Sequence, residues 1–302
     1  MQGWNDIYFT SRDGLRLYAR HYAVPGSVRR PAVCLAGLSR NSRDFHDLAV
    51  ALSKPEETGR DVYCLDYRGR GRSQHDADWK NYSILIELND VLDFMTMRGL
   101  HNAAMIGTSR GGLITMLMAV LRPAAIGAAV LNDIGPVIEP EGLARIVAYI
   151  GRVPLPATWK EAADLVAEMH RRQFPAVTAQ QWAEFARQVF NDDNGLPAPS
   201  YDANLAKAIS LVAAEVPDLW PQFVALSHAP MLVLRGENSD ILSAKTLSEM
   251  QLRHPRLDAV TVKGQGHAPL LKDAPTISAV SRFLAQADLT ALAASEAIVV
   301  GR

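Results

Sequence analysis

Three residue types that cooperate in nucleophilic chemistry, Ser109, Asp240 and His267, each lie in a loop just after a short apolar run. A serine hydroxyl attacks an acyl carbon only when a base removes its proton, and an acid must hold that base in the right tautomer. Ser109 sits in Met105-Ile106-Gly107-Thr108-Ser109-Arg110-Gly111-Gly112, where an apolar run ends in G-x-S-x-G and passes into the helix-compatible stretch Leu113 to Val120. Strand, sharp turn and helix form the context in which this pentapeptide lifts a serine hydroxyl above a sheet, with glycines letting strand and helix approach. Asp240 ends Gly236-Glu237-Asn238-Ser239-Asp240, and His267 lies in Gly264-Gln265-Gly266-His267-Ala268-Pro269. The chain order Ser, Asp, His is the one expected with such an elbow. Taken singly, each residue has a blander role: Asp240 can cap a helix beginning near Ser243, and a histidine in a glycine-rich loop can be structural. Taken together they predict a catalytic triad. Asp133 is a rival acid because it too follows a strand. Asp240 is preferred because its loop lies on the strand nearest the histidine loop in sequence.

A tetrahedral intermediate needs two backbone N–H donors. One is expected from Arg110, at the amino end of the elbow helix, where the helix dipole also helps. The other is expected from the loop after Pro31–Leu35, at Leu38. The Arg110 side chain reads as a brace for that loop rather than as a substrate contact. No other histidine has a comparable context. In Arg68-Gly69-Arg70-Gly71-Arg72, bases and glycines alternate without the spacing of a phosphate loop, so arginines paired to nearby carboxylates are expected. Asp192 and Asp193 lack the spaced ligands and terminal glutamate of a calcium loop, and a plain turn is expected there. No metal and no cofactor are implied.

These loops must be positioned by a sheet. Asn5–Thr10 and Leu15–Ala23 read as an antiparallel hairpin around Ser11-Arg12-Asp13-Gly14. Buried strands follow at 31–35, 61–65, 103–106 and 128–131, separated by helical patterns such as Ser83–Met97, where Ser83 suits an N-cap. This alternation predicts a mostly parallel sheet covered on both faces. It breaks from Val137 to Leu226, where amphipathic pieces (140–150, 159–172, 179–190, 202–212) read as a helical cap, and resumes with strands at 231–234 and 258–262. The expected organisation is a core of residues 1–136 and 227–289, a cap of residues 137–226, and a loose, small-residue-rich tail at 290–302.

The 302 residues carry a net charge of −1, which offers neither a nucleic-acid surface nor a basic membrane face. Cys34 and Cys64 lie inside apolar strands and read as inert core thiols. The start of the chain has no charged-then-apolar leader, and no apolar run approaches the roughly 18 residues of a membrane span, so a cytoplasmic location is expected. A homodimer is left open.

With the motifs AGLSRN, DYRGRGRS, GTSRGG, GENSD and GQGHAP in place, the chain resembles the α/β-hydrolase superfamily from about Trp4 to Ala287. The resemblance implies an eight-stranded, mostly parallel sheet with the helical cap inserted after the sixth strand. Many relatives carry His-Gly in the oxyanion loop, where this chain has Ala36-Gly37. A serine at the elbow argues against the haloalkane dehalogenase and epoxide hydrolase branches, which use aspartate. GTSRGG also differs from the GNSMGG-like elbow of hydrolases acting on ring-cleavage products. The expected activity is therefore hydrolysis of a small to medium carboxylic ester or lactone through an acyl-enzyme on Ser109. Cleavage of a carbon–carbon bond in a diketo acid, and a non-catalytic small-molecule receptor, remain alternatives. An apolar pocket wall is expected from a subset of the cap aromatics Trp159, Phe174, Trp182, Phe185, Phe190, Tyr201, Trp220 and Phe223.

Overall fold

The computed structural model describes residues 3–54, 59–212 and 218–300. Its strands are β1 (Asn5–Thr10), β2 (Arg16–Tyr22), β3 (Ala32–Leu35), β4 (Val62–Asp66), β5 (Ala103–Thr108), β6 (Ile126–Asn132), β7 (Asn191–Asp193), β8 (Leu196–Ala198), β9 (Met231–Gly236) and β10 (Leu257–Val262). Eight of them form one sheet in the order β1-β2-β4-β3-β5-β6-β9-β10. β2 runs antiparallel to both β1 and β4, and every other neighbouring pair is parallel. β3 and β4 are buried along their whole length, as continuous apolar runs must be when helices cover both faces. From β3 the chain builds outward first through β4 and then, on the other side, through β5. That reversal opens a crevice beyond the carboxyl ends of β3 and β5, where ligands bind in such sheets.

Helices α1 (His46–Leu52), α2 (Ile84–Met97) and α3 (Arg110–Leu121) connect the first half of the sheet. α4 (Pro140–Tyr149), α5 (Trp159–His170), α6 (Ala179–Val189), α7 (Leu205–Val212) and α8 (Trp220–Val224) lie between β6 and β9, and α9 (Ala244–Arg253) and α10 (Ala274–Val300) complete the chain. On one face of the sheet, Leu88 of α2, Ile114 of α3, Phe223 of α8 and Met250 of α9 enter a common core. On the other face, Leu48 of α1 packs with Val280 and Leu284 of α10. Cys34 and Cys64, paired across β3 and β4, are buried free thiols.

The segment between β6 and β9 has its own small core, in which Val166 of α5 meets Trp182 and Phe185 of α6. It is tied to the sheet loops by polar contacts. Arg43 donates to Gln188 O, Phe190 O and Asn191 Oδ1, and Asn41 Nδ2 also donates to Gln188 O. Gly71 N donates to Ser200 O, and Tyr82 Oη donates to Asp202.

Two expectations are corrected. Residues 191–195, expected as a polar loop with a plain turn at Asp192 and Asp193, belong to the two-stranded β7–β8 hairpin, with left-handed Asn194 and Gly195 at its tip. Asn-Gly suits a two-residue hairpin turn, but Asn191-Asp192-Asp193 before it is too polar and Pro197 after it too unfavourable to read as strands. Residues 290–300, expected as loose, continue α10. Ala, Leu and Glu are strong helix formers, and after Pro275 in its first turn α10 has no glycine or proline to stop it. Residues 301 and 302 of that tail lie outside the described residues. Among the described residues, no helix is long and apolar enough to cross a membrane.

Candidate active site

Ser109 occupies the turn between β5 and α3 with φ 50° and ψ −112°, a conformation that L-residues rarely adopt. Such strain persists only when the surroundings impose it. Here the close approach of α3 to the sheet imposes it: a Cβ on Gly111 would lie 2.1 Å from the carbonyl oxygen of Leu35 on β3, so only glycine fits. The serine side chain is thereby lifted off the end of β5 into the crevice.

His267 Nε2 lies 2.9 Å from Ser109 Oγ, and His267 Nδ1 lies 2.8 Å from Asp133 Oδ2. A carboxylate can only accept, so Nδ1 carries the proton and Nε2 is free to accept from the serine. Asp133 is wholly buried. Its Oδ1 accepts from Gly236 N at 2.7 Å, and its Oδ2 also accepts from Ser239 Oγ at 2.5 Å. These donors satisfy the buried charge and fix its orientation.

The structure places Asp133, the rival acid, and not the expected Asp240, beside His267. Asp240 instead makes a two-pronged ion pair with Arg145 of α4, at 2.6 and 2.8 Å. Burial pushes its carboxyl up, but Arg145 more than compensates and holds it below the usual carboxylate value. The physical reason lies in the loop paths. The histidine loop crosses the end of β9, its Gln265 and Gly266 carbonyls seated where a side chain on Gly236 would be. His267 is thus carried past β9 to the neighbouring β6, whose last residue, Asn132, immediately precedes Asp133. The β9 loop meanwhile turns outward and delivers Asp240 to the helix above.

The Arg110 residue begins α3, and Leu38 lines the crevice beside Ser109. Among the described residues, neither backbone N–H has a protein acceptor. The Leu38 loop, with Ala36-Gly37 at its start, is held by Tyr67 Oη donating to Ala36 O and by Arg70 Nε donating to Leu38 O. The Arg110 side chain bonds Glu87 Oε2 at 2.5 Å and Tyr82 O at 3.2 Å, which is a bracing role. The neighbouring arginines are paired as well: Arg68 with Asp13, Asp76 and Asp90, and Arg72 with Asp6.

Above Ser109 and His267 lies a cavity of about 230 Å³, walled by apolar residues that include Ile146, Met169, Phe174 and Leu270. Of the cap aromatics, Phe174, Phe185, Phe190 and Tyr201 line it. Trp182 packs between α5 and α6, Phe223 is in the main core with Trp220 against it, and Trp159 donates to Gly195 O. The polar wall includes Arg40, paired with Asp44, and His170. Nothing in the sequence marked His170, because an amphipathic helix does not reveal which of its residues border a cavity.

His170 contacts Phe174, Trp182 and Phe185. Burial first, and then the positive charges of Arg40 and Arg145, push its pKa down to about 3. The unfolded chain, with an ordinary histidine near 6.5, binds a proton that the folded chain refuses. Stability should therefore decline as pH falls from about 6.5 towards 3. Thermal unfolding midpoints measured from pH 7 to pH 4.5 should drop less steeply in His170→Gln than in the wild type; parallel curves would contradict this assignment.

A family model described as the alpha/beta hydrolase family matches residues 32–279. The chain is 32% identical over 281 residues to the 3-hydroxybutyrate-oligomer hydrolase of Cupriavidus necator, covering 89% of this chain and 93% of that protein. It is 27% identical to the sn-1-specific diacylglycerol lipase ABHD11 of Mus musculus, over 87% of this chain and 83% of that protein. The crystal structure of an alpha/beta hydrolase from Novosphingobium aromaticivorans superposes with a TM-score of 0.87 at 41% identity, covering 94% of this chain and 99% of that one.

Proposed function

This chain belongs to the alpha/beta hydrolase family, and we propose that it is a serine hydrolase cleaving a small to medium carboxylic ester or lactone through an acyl-enzyme on Ser109. The observation that carries the reading is the continuous relay Asp133–His267–Ser109, open at its serine end to an apolar cavity. His267 Nε2 takes the hydroxyl proton as Ser109 Oγ bonds to the acyl carbon. The carbonyl electrons move onto oxygen, where the Leu38 and Arg110 amides receive them. Collapse breaks the bond to the alkoxide, which leaves as alcohol with the proton from His267. Water then gives a proton to the same nitrogen, attacks the acyl-enzyme, and frees the acid as Oγ recovers its hydrogen. Asp133 keeps the imidazole in its productive tautomer throughout and stabilises the imidazolium.

Residues 137–226 act as the cap that shapes the pocket. At about 230 Å³ the cavity falls below the ~300–1,000 Å³ usual for drug-sized ligands, which favours a short acyl group. The name of the Cupriavidus relative supports short hydroxy-acid oligoesters as the first natural-type substrates to try. The test is steady-state hydrolysis of p-nitrophenyl esters of increasing acyl length, alongside a linear dimer of 3-hydroxybutyrate and simple lactones. Turnover should be highest for short acyl groups and fall with length. A folded wild type that turns over none of these would contradict the reading.

A further inference from the structure

Beneath the two amides given to the oxyanion lies a carboxylate that the catalytic steps leave unused. Glu87, on α2, is fully buried. Its Oε2 accepts from Arg110 Nε at 2.5 Å, and its Oε1 lies 2.7 Å from Arg70 Nη1. Arg70 is itself fully buried and donates from Nε to Leu38 O at 3.0 Å and from Nη1 to Arg68 O at 2.6 Å. Glu87 therefore grips the residue that supplies one amide, and grips through Arg70 the residue that supplies the other. β3 and β5 are paired neighbours, but beyond their ends Leu38 and Arg110 lie on separate segments, a loop and the start of α3. Oxyanion stabilisation demands that two such donors be held within about 0.5 Å of their working positions.

We infer that Glu87 and Arg70 are positioning residues that set the spacing of the Leu38 and Arg110 amides for the tetrahedral oxyanion; the inference rests on the serine-hydrolase reading above. The chemistry suits the task. A guanidinium is a rigid planar fork, so Arg70 sets its charge against the Glu87 carboxylate as an ion pair while its Nε donates to the Leu38 carbonyl. A lysine carries the same charge on a single donor centre and cannot span both. Glutamine at position 87 keeps the size and one acceptor but removes the charge that binds two guanidiniums. Neither change touches Ser109, His267 or Asp133, so the proton relay is left in place while the amides are released.

The test compares Glu87→Gln and Arg70→Lys with the wild type in ester hydrolysis. It also compares their binding of a trifluoromethyl ketone, which adds to the serine and carries a tetrahedral oxyanion, with their binding of the product acid, which does not. Both variants should lose about tenfold to a hundredfold in kcat with KM within about twofold, because the interaction lost is one made only in the transition state. Ketone affinity should fall by a similar factor and product affinity should stay. Thermal melts separate this from unfolding, and Arg70→Lys, which keeps the buried charge, is the milder variant should Glu87→Gln fail to fold. Folded variants that keep kcat and ketone affinity, or that lose ketone and product binding equally, would overturn the inference. A wild type that neither hydrolyses esters nor binds the ketone would instead overturn the serine-hydrolase reading and this inference with it.

Discussion

Asp133→Asn should lower kcat by about 10⁴-fold, while Asp240→Asn leaves it within a few-fold of the wild type. The asymmetry follows from what each carboxylate touches. Asp133 Oδ2 is the acceptor for His267 Nδ1. An asparagine whose Oδ1 accepts from Gly236 N would turn its NH₂ group toward the imidazole and Ser239 Oγ. The histidine would then move its proton to Nε2 and could no longer take one from Ser109. Asp240 is spent on Arg145, and both side chains of that pair are about a third exposed, at 29% and 30%. Such a pair contributes about 1 kcal/mol at most, so the expected cost of Asp240→Asn is a small drop in melting temperature. Steady-state kinetics on both variants, with melts as a folding control, decide the matter. A large loss from Asp240→Asn with little from Asp133→Asn would reverse the assignment.

The two acids show where sequence reading runs out. Ser109 and His267 were legible because their signals are local: a glycine-flanked serine between strand and helix, and a histidine in a loop after the last strand. The inner strands β3, β4, β5, β6 and β9 were legible for a related reason, since continuous apolar runs of four or five residues persist wherever both faces of a sheet are covered, while the β1–β2 hairpin was legible from its turn cluster. Choosing between Asp133 and Asp240 required knowing that the histidine loop crosses over Gly236 and reaches β6. That path depends on spatial order, which one-dimensional spacing does not encode. The same gap hid the cavity wall. Trp182 and Phe185 lie on one amphipathic helix three residues apart, yet only Phe185 lines the cavity. The buried link between Arg70 and Glu87 was foreshadowed only in outline, as arginines seeking carboxylates, with no hint that one of them would grip Leu38.

Removing the nucleophile should have the largest effect of all. Ser109→Ala is expected to reduce kcat by about 10⁵- to 10⁶-fold, and adding His267→Ala should cost little more, because the two act as one unit. The residual rate in either variant would come from the amides and the pocket alone. Ser109 also holds a strained backbone at φ 50°, and alanine preserves the small side chain there, so the fold should survive for comparison. The most direct measurement is the site of covalent attachment. Paraoxon carries a p-nitrophenoxide leaving group and leaves a phosphoryl group that hydrolyses slowly from serine. Incubated with the wild type, it should release about one p-nitrophenol per chain, and peptide mass mapping should place the diethylphosphoryl group on Ser109; Ser109→Ala should acquire no label. Label on another residue, or ester hydrolysis that persists in Ser109→Ala, would contradict the account at its centre.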